Sequence, residues 1–278
     1  MSRNWLAYDL CVRSDYDLPG ATQLMAPRDA DIVITAGIAD VGTPGETRGP
    51  FTRGDRGIRI DTPACAILCA QENHAMVEVR SGASAAAIQA ALTGLALPVL
   101  LWMRGDIVLH AAAAILPGHD GAIAFLGHSG AGKSTVAREL LDIGATIVAD
   151  DTLSLRFRDD RAWVSGLPAQ LGSGAHGDPT STRAVAPDHR AVAAPLAAIC
   201  VLEPSDGIAG VEMLDHAQRT LALIEYRYRV KIPRLLGRVL PLLPDLARIA
   251  ASIGGARWRR AEAGGAVPES LWTLSRPV

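Results

Sequence analysis

The fold is decided by one stretch of the sequence, Gly127-His128-Ser129-Gly130-Ala131-Gly132-Lys133-Ser134-Thr135. This stretch matches the phosphate-loop (P-loop) pattern G-x-x-x-x-G-K-[ST]. The preceding run Ala122–Leu126 is short and apolar, which is typical of a buried parallel strand. The following run Ser134–Asp142 has helix-forming residues and one apolar face. Because strand, glycine loop and helix follow in this order, the sequence predicts an α/β fold in which these nine residues bind a nucleoside triphosphate.

Two side chains of the loop have defined roles in the chemistry that the pattern predicts. Successive backbone N–H groups and the positive end of the helix dipole would face the phosphate oxygens. Lys133 would reach the β- and γ-phosphates, and the Ser134 hydroxyl would be a ligand of Mg²⁺. The predicted cofactors are therefore ATP and Mg²⁺, with the choice between ATP and GTP left open.

Composition restricts the class of protein. The chain has 278 residues, of which 49% are hydrophobic and 20% charged, so a sizeable core is expected. Its net charge of −2 argues against a broad nucleic-acid surface. The four cysteines match no zinc-finger spacing and are expected to be buried thiols. The start of the sequence shows no signal-sequence pattern, so a cytoplasmic protein is expected.

One apolar segment, Ala85–Met103, approaches the length of a membrane span. It contains Gly94 and Pro98. The sequence therefore predicts a helix over about 84–95, followed by a buried segment, inside a soluble domain without membrane contact.

The region before the phosphate loop is predicted to be rich in β-strands. Short apolar or alternating runs, among them 6–12, are separated by turn residues, and 39–54 is predicted to be a mobile polar loop. The predicted domains are residues 1–103, β-rich and ending in the apolar helix, and residues 104–278, a P-loop kinase domain with a helical C-terminal segment.

His110 is the first candidate for chemistry outside the loop. It lies in the apolar stretch Ile107–Leu116, one strand and one turn before the phosphate-loop strand. A hairpin between these strands would place His110 beside the nucleotide. A core histidine without catalytic function is the alternative.

Two carboxylates follow the next buried strand, Thr146–Ala149. Asp150 and Asp151 would stand at the carboxyl end of a strand next to the phosphate-loop strand, where such proteins hold Mg²⁺ or a base. The sequence does not decide which of the two is the base and which the metal ligand.

Taken together, these motifs resemble the kinase domain of HPr kinase/phosphorylase. The resemblance rests on His110, the stretch GHSGAGKST and the pair Asp150-Asp151, within about 104–157. The layout as a whole resembles the shorter HPr-kinase-like proteins of bacterial peptide-maturation clusters, which include lasso-peptide kinases. By position, the resemblance implies that Asp150 accepts the proton of an attacking hydroxyl with help from His110, and that Asp151 holds Mg²⁺ or the loop.

The chain departs from that family at two places. Thr135 stands where an acid is usual, and 166–178 (GLPAQLGSGAHGD) replaces the glycine-rich signature linked to the reverse reaction. The second stretch is either a substrate loop over the γ-phosphate or a surface loop. The sequence therefore predicts a one-way kinase whose acceptor is not HPr.

The C-terminal part of the sequence is locally basic. Arg227, Arg229, Lys231, Arg234 and Arg238 lie close together. They are either ordinary charges on half-buried helices or a docking surface for an acidic or phosphorylated partner. A third alternative is that one of the arginines reaches the transferred phosphoryl group.

These observations predict an ATP-dependent P-loop serine kinase acting on a peptide or small protein, with Asp150, His110 and Lys133 as catalytic residues and Ser134, Asp150 and Asp151 as metal ligands. A homo-oligomer is possible. A nucleotide-dependent switch without an acceptor and a kinase of a small hydroxy compound are the alternatives. A switch needs only the loop and Mg²⁺, so a base near the loop favours a kinase.

Overall fold

The computed structural model describes residues 2–26, 28–172, 182–205, 209–260 and 267–274. It shows a mixed α/β protein, as the sequence predicts.

The chain divides into two compact units. The first unit comprises Met1–Val108 and Arg229–Leu240, and the second comprises Leu109–Tyr228 and Pro241–Val278. The first unit thus includes a late segment of the chain that the predicted division, 1–103 and 104–278, assigned to the kinase domain.

The first unit contains a large sheet of nine strands. In chain order they are β1 Arg3–Ala7, β2 Leu10–Ser14, β3 Thr22–Leu24, β4 Ile32–Ala36, β5 Pro44–Arg48, β6 Phe51–Gly54, β7 Gly57–Asp61, β8 Cys65–Ala70 and β9 His74–Val79. Their order in the sheet is β3-β1-β2-β4-β9-β8-β7-β6-β5. Side chains of a strand point alternately to the two faces of the sheet. In β7, Ile58 and Ile60 are therefore buried on one face, while their neighbours on the other face are partly exposed.

Two predictions for this unit were wrong. The run 6–12 is not one strand, because Tyr8 and Asp9 adopt positive φ angles of 53° and 60° and turn the chain into the β1–β2 hairpin. The predicted loop 39–54 contains the β5–β6 hairpin. All five residues of β5 are exposed, and the strand lies at the edge of the sheet. Its sequence therefore lacks the apolar alternation that would have predicted a strand.

The apolar segment is helical throughout. It consists of α1 Ala85–Ala91, a π-helical turn Leu92–Ala96 and α2 Leu97–Met103. The predicted end near residue 95 was wrong, because the wide turn, in which Leu97 N–H donates to Leu92 O, places Pro98 in the first turn of α2 where its missing N–H costs little.

This segment is the one helix in the described ranges long and apolar enough to cross a membrane by length and composition. Its mean hydropathy is 1.8, and 61% of its most apolar window is buried. The buried core helix of a soluble protein can have the same length and composition. The Cys69 thiol of β8 lies 3.8 Å from Ala96 O, which places the helix against the sheet of the first unit.

The basic segment 229–240 contains α5, Lys231–Leu235. Arg238 Nη1 donates to Trp102 O at 2.8 Å, so this segment packs beside α2 within the first unit. At least this arginine therefore has a structural role.

The second unit begins at the end of β10, Ile107–Leu109, and carries the remaining elements. Its strands are β11 Ala111–Ile115, β12 Ala122–Leu126, β13 Thr146–Ala149, β14 Leu153–Arg158, β15 Arg161–Ser165, β16 Gln170–Leu171, β17 Arg183–Ala184, β18 Ala193–Pro204, β19 Gly210–Met213 and β20 Gly254–Arg260. Its helices are α3 Lys133–Asp142, α4 His216–Glu225, α6 Leu243–Ser252 and α7 Glu269–Leu274, with a 3₁₀ turn at Pro187–His189.

The strand before the phosphate loop, β12, lies inside the sheet of this unit. The order is β14-β15-β18-β12-β11-β13, and β20 pairs with β18. β12 runs parallel to β18 and antiparallel to β11, so the predicted hairpin is present. His110 directly precedes it, because the stretch 107–116 is divided at this residue into β10 and β11. The expectation that Thr146–Ala149 would lie next to β12 was wrong: β11 stands between β12 and β13, because the hairpin occupies that side of β12.

The core of the second unit lies under α3. Val136, Ala137 and Leu140 of this helix are buried against the sheet. Gly144, at φ 88°, ends the helix and leads into β13. The packing thus holds α3 directly after β12, as the phosphate-loop pattern predicts.

Candidate active site

The loop between β12 and α3 is shaped by its glycines. Gly132 precedes the helix with φ 93°, a left-handed conformation that favours glycine. A Cβ on Gly127 would lie 2.8 Å from the Cβ of Ala131, so this position has no space for a side chain. The chain therefore folds back on itself, and Ala131 N–H donates to His128 O at 3.1 Å.

Lys133 is buried under this loop, with 6% of its surface exposed. Its Nζ donates to Gly127 O at 2.8 Å and to His128 O at 3.0 Å. Burial lowers the pKa of Lys133, and the carboxylates of Asp151 and Asp150 oppose this change. The ammonium group is thus held inside the loop, close to both acids.

Asp150 is joined to the first turn of α3. Ser134 Oγ donates to Asp150 Oδ1 at 2.9 Å, and Gly172 N–H donates to Asp150 Oδ2 at 2.7 Å. Burial raises the pKa of Asp150, while the bonds from Gly172 and Ser134 lower it in part. Both carboxylate oxygens are therefore positioned by the protein.

Asp151 differs from Asp150 in exposure and partner. Its side chain is 61% exposed, and His110 Nδ1 lies 3.2 Å from Asp151 Oδ1 and 3.0 Å from Asp151 O. The backbone of Asp151 has φ 74°, which turns the residue away from the direction of β13. The structure thus joins His110 to Asp151 and Ser134 to Asp150.

Two strand registers bring these groups together. Ala111 of β11 is paired with Leu126 of β12, so His110 stands level with the start of the loop. Asp150 and Asp151 follow β13, which pairs with the other side of β11. We call His110, Lys133, Ser134, Asp150 and Asp151 the carboxylate end of the loop.

Three residues of this site were not found from the sequence. Tyr226 O accepts from His110 N–H at 2.8 Å, and the Tyr228 ring stacks on His110 at 5.8 Å between centroids. Gly172 N–H binds Asp150, as described above. Gly172 lies in the glycine-rich stretch 166–178, which offered a sequence signal for a loop near the phosphates. For the tyrosines the signal was weaker: two of the chain's four tyrosines lie close together after a helix.

The opposite side of the loop borders a cavity of about 580 Å³. We call it the Tyr226 cavity. Its lining includes the loop residues 128–131, Leu202 and Pro204 of β18, and Leu221 and Tyr226 at α4. The His128 side chain is 78% exposed, lies 3.2 Å from Glu225 and packs its ring against Tyr226 at 5.3 Å. We call these lining residues, including 128–131, the cavity end of the loop.

A buried arginine lies next to the loop. Arg260 of β20, whose side chain is 6% exposed, places Nη2 at 3.0 Å from each carboxylate oxygen of Glu139 in α3. Its guanidinium lies over the Trp258 ring at 4.6 Å, and its Nη1 is 3.7 Å from the position of a Cβ on Gly132. Arg260 therefore connects β20 to the helix and loop that carry Lys133.

The residues present fit a magnesium ion of the phosphate-loop type. Such an ion takes one or two protein oxygens and the rest of its ligands from phosphates and water. Ser134 Oγ and Asp150 Oδ1, already in contact, supply such oxygens. Within the described ranges there is no group of three or more His, Cys, Asp or Glu side chains that could hold a metal ion.

The other residues singled out in the sequence are Thr135, the stretch 166–178 and the basic segment. Thr135 lies in the first turn of α3 and is partly exposed. Of the stretch 166–178, the part to Gly172 is described and contains β16; residues 173–178 lie outside the described residues. Arg229 and Arg234 belong to the first unit.

No protein-family model matches the chain, and no curated protein matches it. Among solved structures, the chain is similar to the Hpr(Ser) kinase/phosphatase from Coxiella burnetii. The TM-score is 0.36 and the sequence identity 13%, with 60% of this chain and 87% of that chain covered. This structural relation is distant and assigns neither a family nor an activity to the chain.

Proposed function

We propose that the chain is an ATP-dependent kinase that transfers the γ-phosphoryl group to a serine-type hydroxyl. The observation that supports this function is the carboxylate end. There a buried lysine, a serine–aspartate pair and a histidine–aspartate pair meet at one helix N-terminus. Phosphoryl transfer needs positioned charge, a metal site and an acceptor for the hydroxyl proton.

Lys133 and the first turn of α3 bind the phosphates in this proposal. The ammonium group exchanges its two carbonyl partners for β- and γ-phosphate oxygens, and the free N–H groups of the helix face the same anion. The pKa of Lys133, lowered by burial, rises when a phosphate replaces those carbonyls, so the charged form is stabilised when substrate is present.

Ser134 and Asp150 hold the metal side. Magnesium, when bound, neutralises charge that develops on the transferred group. Asp150 suits this position because both of its oxygens are oriented, one by the Ser134 hydroxyl and one by Gly172 N–H.

Asp151 and His110 take the proton. The attacking hydroxyl oxygen forms a bond to the γ-phosphorus, the bond from that phosphorus to the bridging oxygen of the β-phosphate breaks, and ADP leaves. The hydroxyl proton passes to the Asp151 carboxylate, which is exposed enough to meet an acceptor and is oriented by His110. The resemblance implied Asp150 in this role; the contact between His110 and Asp151 is the reason to propose the reverse.

The acceptor that we propose is a serine in a peptide or small protein, as in HPr-kinase-like proteins of peptide-maturation clusters. This part rests on the sequence motifs alone. Thr135 and the changed stretch after Ser165 favour transfer in one direction and an acceptor other than HPr.

The test is transfer of labelled γ-phosphate from ATP with Mg²⁺ to peptides that present a serine, made from genes adjacent to this one. Lys133→Ala should reduce transfer by roughly 10²-fold or more, on the scale of a lost transition-state contact. Arg161→Ala is the control, since it removes a positive charge from an exposed position of the second unit, away from the loop and from the basic segment. Transfer by Lys133→Ala at the wild-type rate would refute the kinase.

Other products would identify the alternatives. Phosphate release that no peptide accelerates indicates a nucleotide-dependent switch. Label on a free hydroxy compound, and none on peptide, indicates a small-molecule kinase.

A further inference from the structure

The Tyr226 cavity is not used by any step of the proposed transfer. It adjoins the phosphate loop through residues 128–131, and Lys133, Ser134, Asp150 and Asp151 are not part of its lining. We propose that this cavity binds the base and ribose of the nucleoside triphosphate, an inference that rests on the proposed function.

The direction in which the triphosphate must lie supports this assignment. Lys133 and Ser134 serve the β- and γ-phosphates and the metal, so the γ-phosphate lies toward Asp150 and Asp151. These acids follow β13, on the β11 side of β12. The α-phosphate and the nucleoside must then leave the loop on the β18 side. The cavity opens there, between the end of β18 and α4.

The lining of the cavity has the chemistry of a nucleoside site. Small-molecule sites have volumes of about 300–1,000 Å³ and combine apolar walls with a few polar groups, and the observed volume of about 580 Å³ lies within this range. Leu202, Pro204 and Leu221 supply apolar surface, and the exposed His128 ring offers a flat face on which a base can stack.

Polar groups on the rim complement a base that carries an amino group. The carboxylate of Glu225 can accept from an exocyclic amino group. Gln218 Oε1 is engaged with Asp215 N–H in the cap of α4, which leaves its amide NH₂ as a donor for a ring nitrogen.

The acceptor serine would not fit the same place. Its hydroxyl must reach the γ-phosphorus in line with the leaving oxygen, opposite the β-phosphate. That approach lies at His110 and Asp151, whereas the cavity is on the β-phosphate side of the loop. The two substrates therefore occupy separate places on either side of Tyr226, which lines the cavity and whose carbonyl accepts from His110 N–H.

A single thiol placed in the cavity tests the assignment. The four natural cysteines are buried, so Leu221→Cys adds one reactive site on a side chain that is 62% exposed. ATP with Mg²⁺ at about ten times its Kd should slow alkylation of this thiol roughly tenfold, because occupancy protects as 1 + [L]/Kd. Inorganic tripolyphosphate at the same multiple of its own Kd should leave the rate within about twofold of that without ligand.

Met213→Cys is the matched control, since Met213 is 60% exposed in the second unit and outside the cavity lining. Neither ligand should protect its thiol. As a converse test, Leu221→Cys alkylated with a bulky maleimide should lose at least about tenfold in ATP affinity and keep its tripolyphosphate affinity.

Calorimetry of both ligands on the unmodified protein separates the two hypotheses. If ATP binds and leaves the Leu221→Cys rate unchanged, or if tripolyphosphate protects as well as ATP, the nucleoside lies elsewhere and the inference is overturned. Protection by a serine peptide instead of ATP would overturn it as well. If neither ATP nor tripolyphosphate binds, the proposed function itself fails.

Discussion

The two ends of the phosphate loop are built differently. At the carboxylate end, Lys133 is buried and hydrogen-bonded, and Asp150 is bonded through both oxygens. At the cavity end, His128 is largely exposed and meets Glu225 at the rim. Charges that act on a transition state must be oriented before the reaction, whereas a nucleoside can be held by shape and apolar contact. We therefore expect changes at the carboxylate end to alter kcat and changes at the cavity end to alter KM.

The largest effects should come from the two acids, and they should differ. Asp151→Asn should lower kcat roughly 10²-fold or more, the scale of a general base, and leave the Kd of Mg-ATP within about threefold. Asp150→Asn should in addition raise the Mg²⁺ concentration needed for activity, because the proposed function assigns Asp150 to the metal side. Single-turnover transfer over a Mg²⁺ titration measures both, with Asp188→Asn, an exposed acid of the second unit, as the control.

The opposite pattern would reverse these roles. If Asp150→Asn loses transfer at unchanged Mg²⁺ dependence and Asp151→Asn shifts that dependence, Asp150 is the base that the resemblance implied. The carboxylate end would remain, with its two acids exchanged.

Arg260→Met should affect both ends, because Arg260 holds α3 through Glu139 and lies beside Gly132. Removing one partner of this buried pair should cost about 2 kcal/mol of unfolding free energy, below the upper values for fully buried pairs since Glu139 is partly exposed. We expect kcat to fall and KM to rise together. Chemical denaturation and steady-state kinetics are the measurements.

A double-mutant cycle with Glu139→Gln identifies the cause. If the pair acts as described, the two substitutions together should cost less than their sum. Additive losses would mean that Arg260 acts through Trp258 or the loop, independently of Glu139.

Glu225→Gln should change only the cavity end, and by little. The Glu225–His128 contact is exposed, and such pairs contribute at most about 1 kcal/mol, so the KM for ATP should rise by no more than about fivefold at constant kcat. Glu72→Gln, an exposed acid of the first unit, is the control. A larger fall in kcat than rise in KM would show that the two ends are not separate.

The smallest effect concerns stability and pH. Burial raises the pKa of Asp150 above its usual value, so the folded state binds this proton more tightly than the unfolded state. Asp150 therefore destabilises the fold as pH rises from about 4 through its raised pKa. The Tm of Asp150→Asn minus the Tm of the wild type should therefore increase as pH rises through that interval. A Tm difference that is flat or falls with pH would contradict the raised pKa.

Much of the local structure could be predicted from the sequence. Asp215 begins α4 in a capping box with Gln218, a pattern that is readable from residues three positions apart. β14 and β15 form a hairpin whose turn has the polar sequence Arg158-Asp159-Asp160-Arg161. These features depend on neighbouring residues alone, so propensity and turn chemistry suffice to find them.

Other features depend on contacts that no local pattern records. The helix 85–103 continues through Pro98 because a π turn precedes it, and β5 is a strand because β6 pairs with it. In both places tertiary packing overrides the local propensity.

The candidate site likewise combines features that are local in the sequence with features that depend on tertiary contacts. The sequence alone identified the loop, its lysine and serine, the pair of acids and the nearby histidine as candidates, because the pattern places each of them at a set position along the chain. Tertiary structure decided that His110 meets Asp151, that Gly172 and Ser134 hold Asp150, and that Tyr226 and Tyr228 support His110. It also decided that α4 and β18 enclose a cavity beside the loop. The physical reason is that hydrogen bonds and cavities form between segments far apart in the chain, where sheet register and the backbone angles at residues such as Asp151 decide which side chains meet.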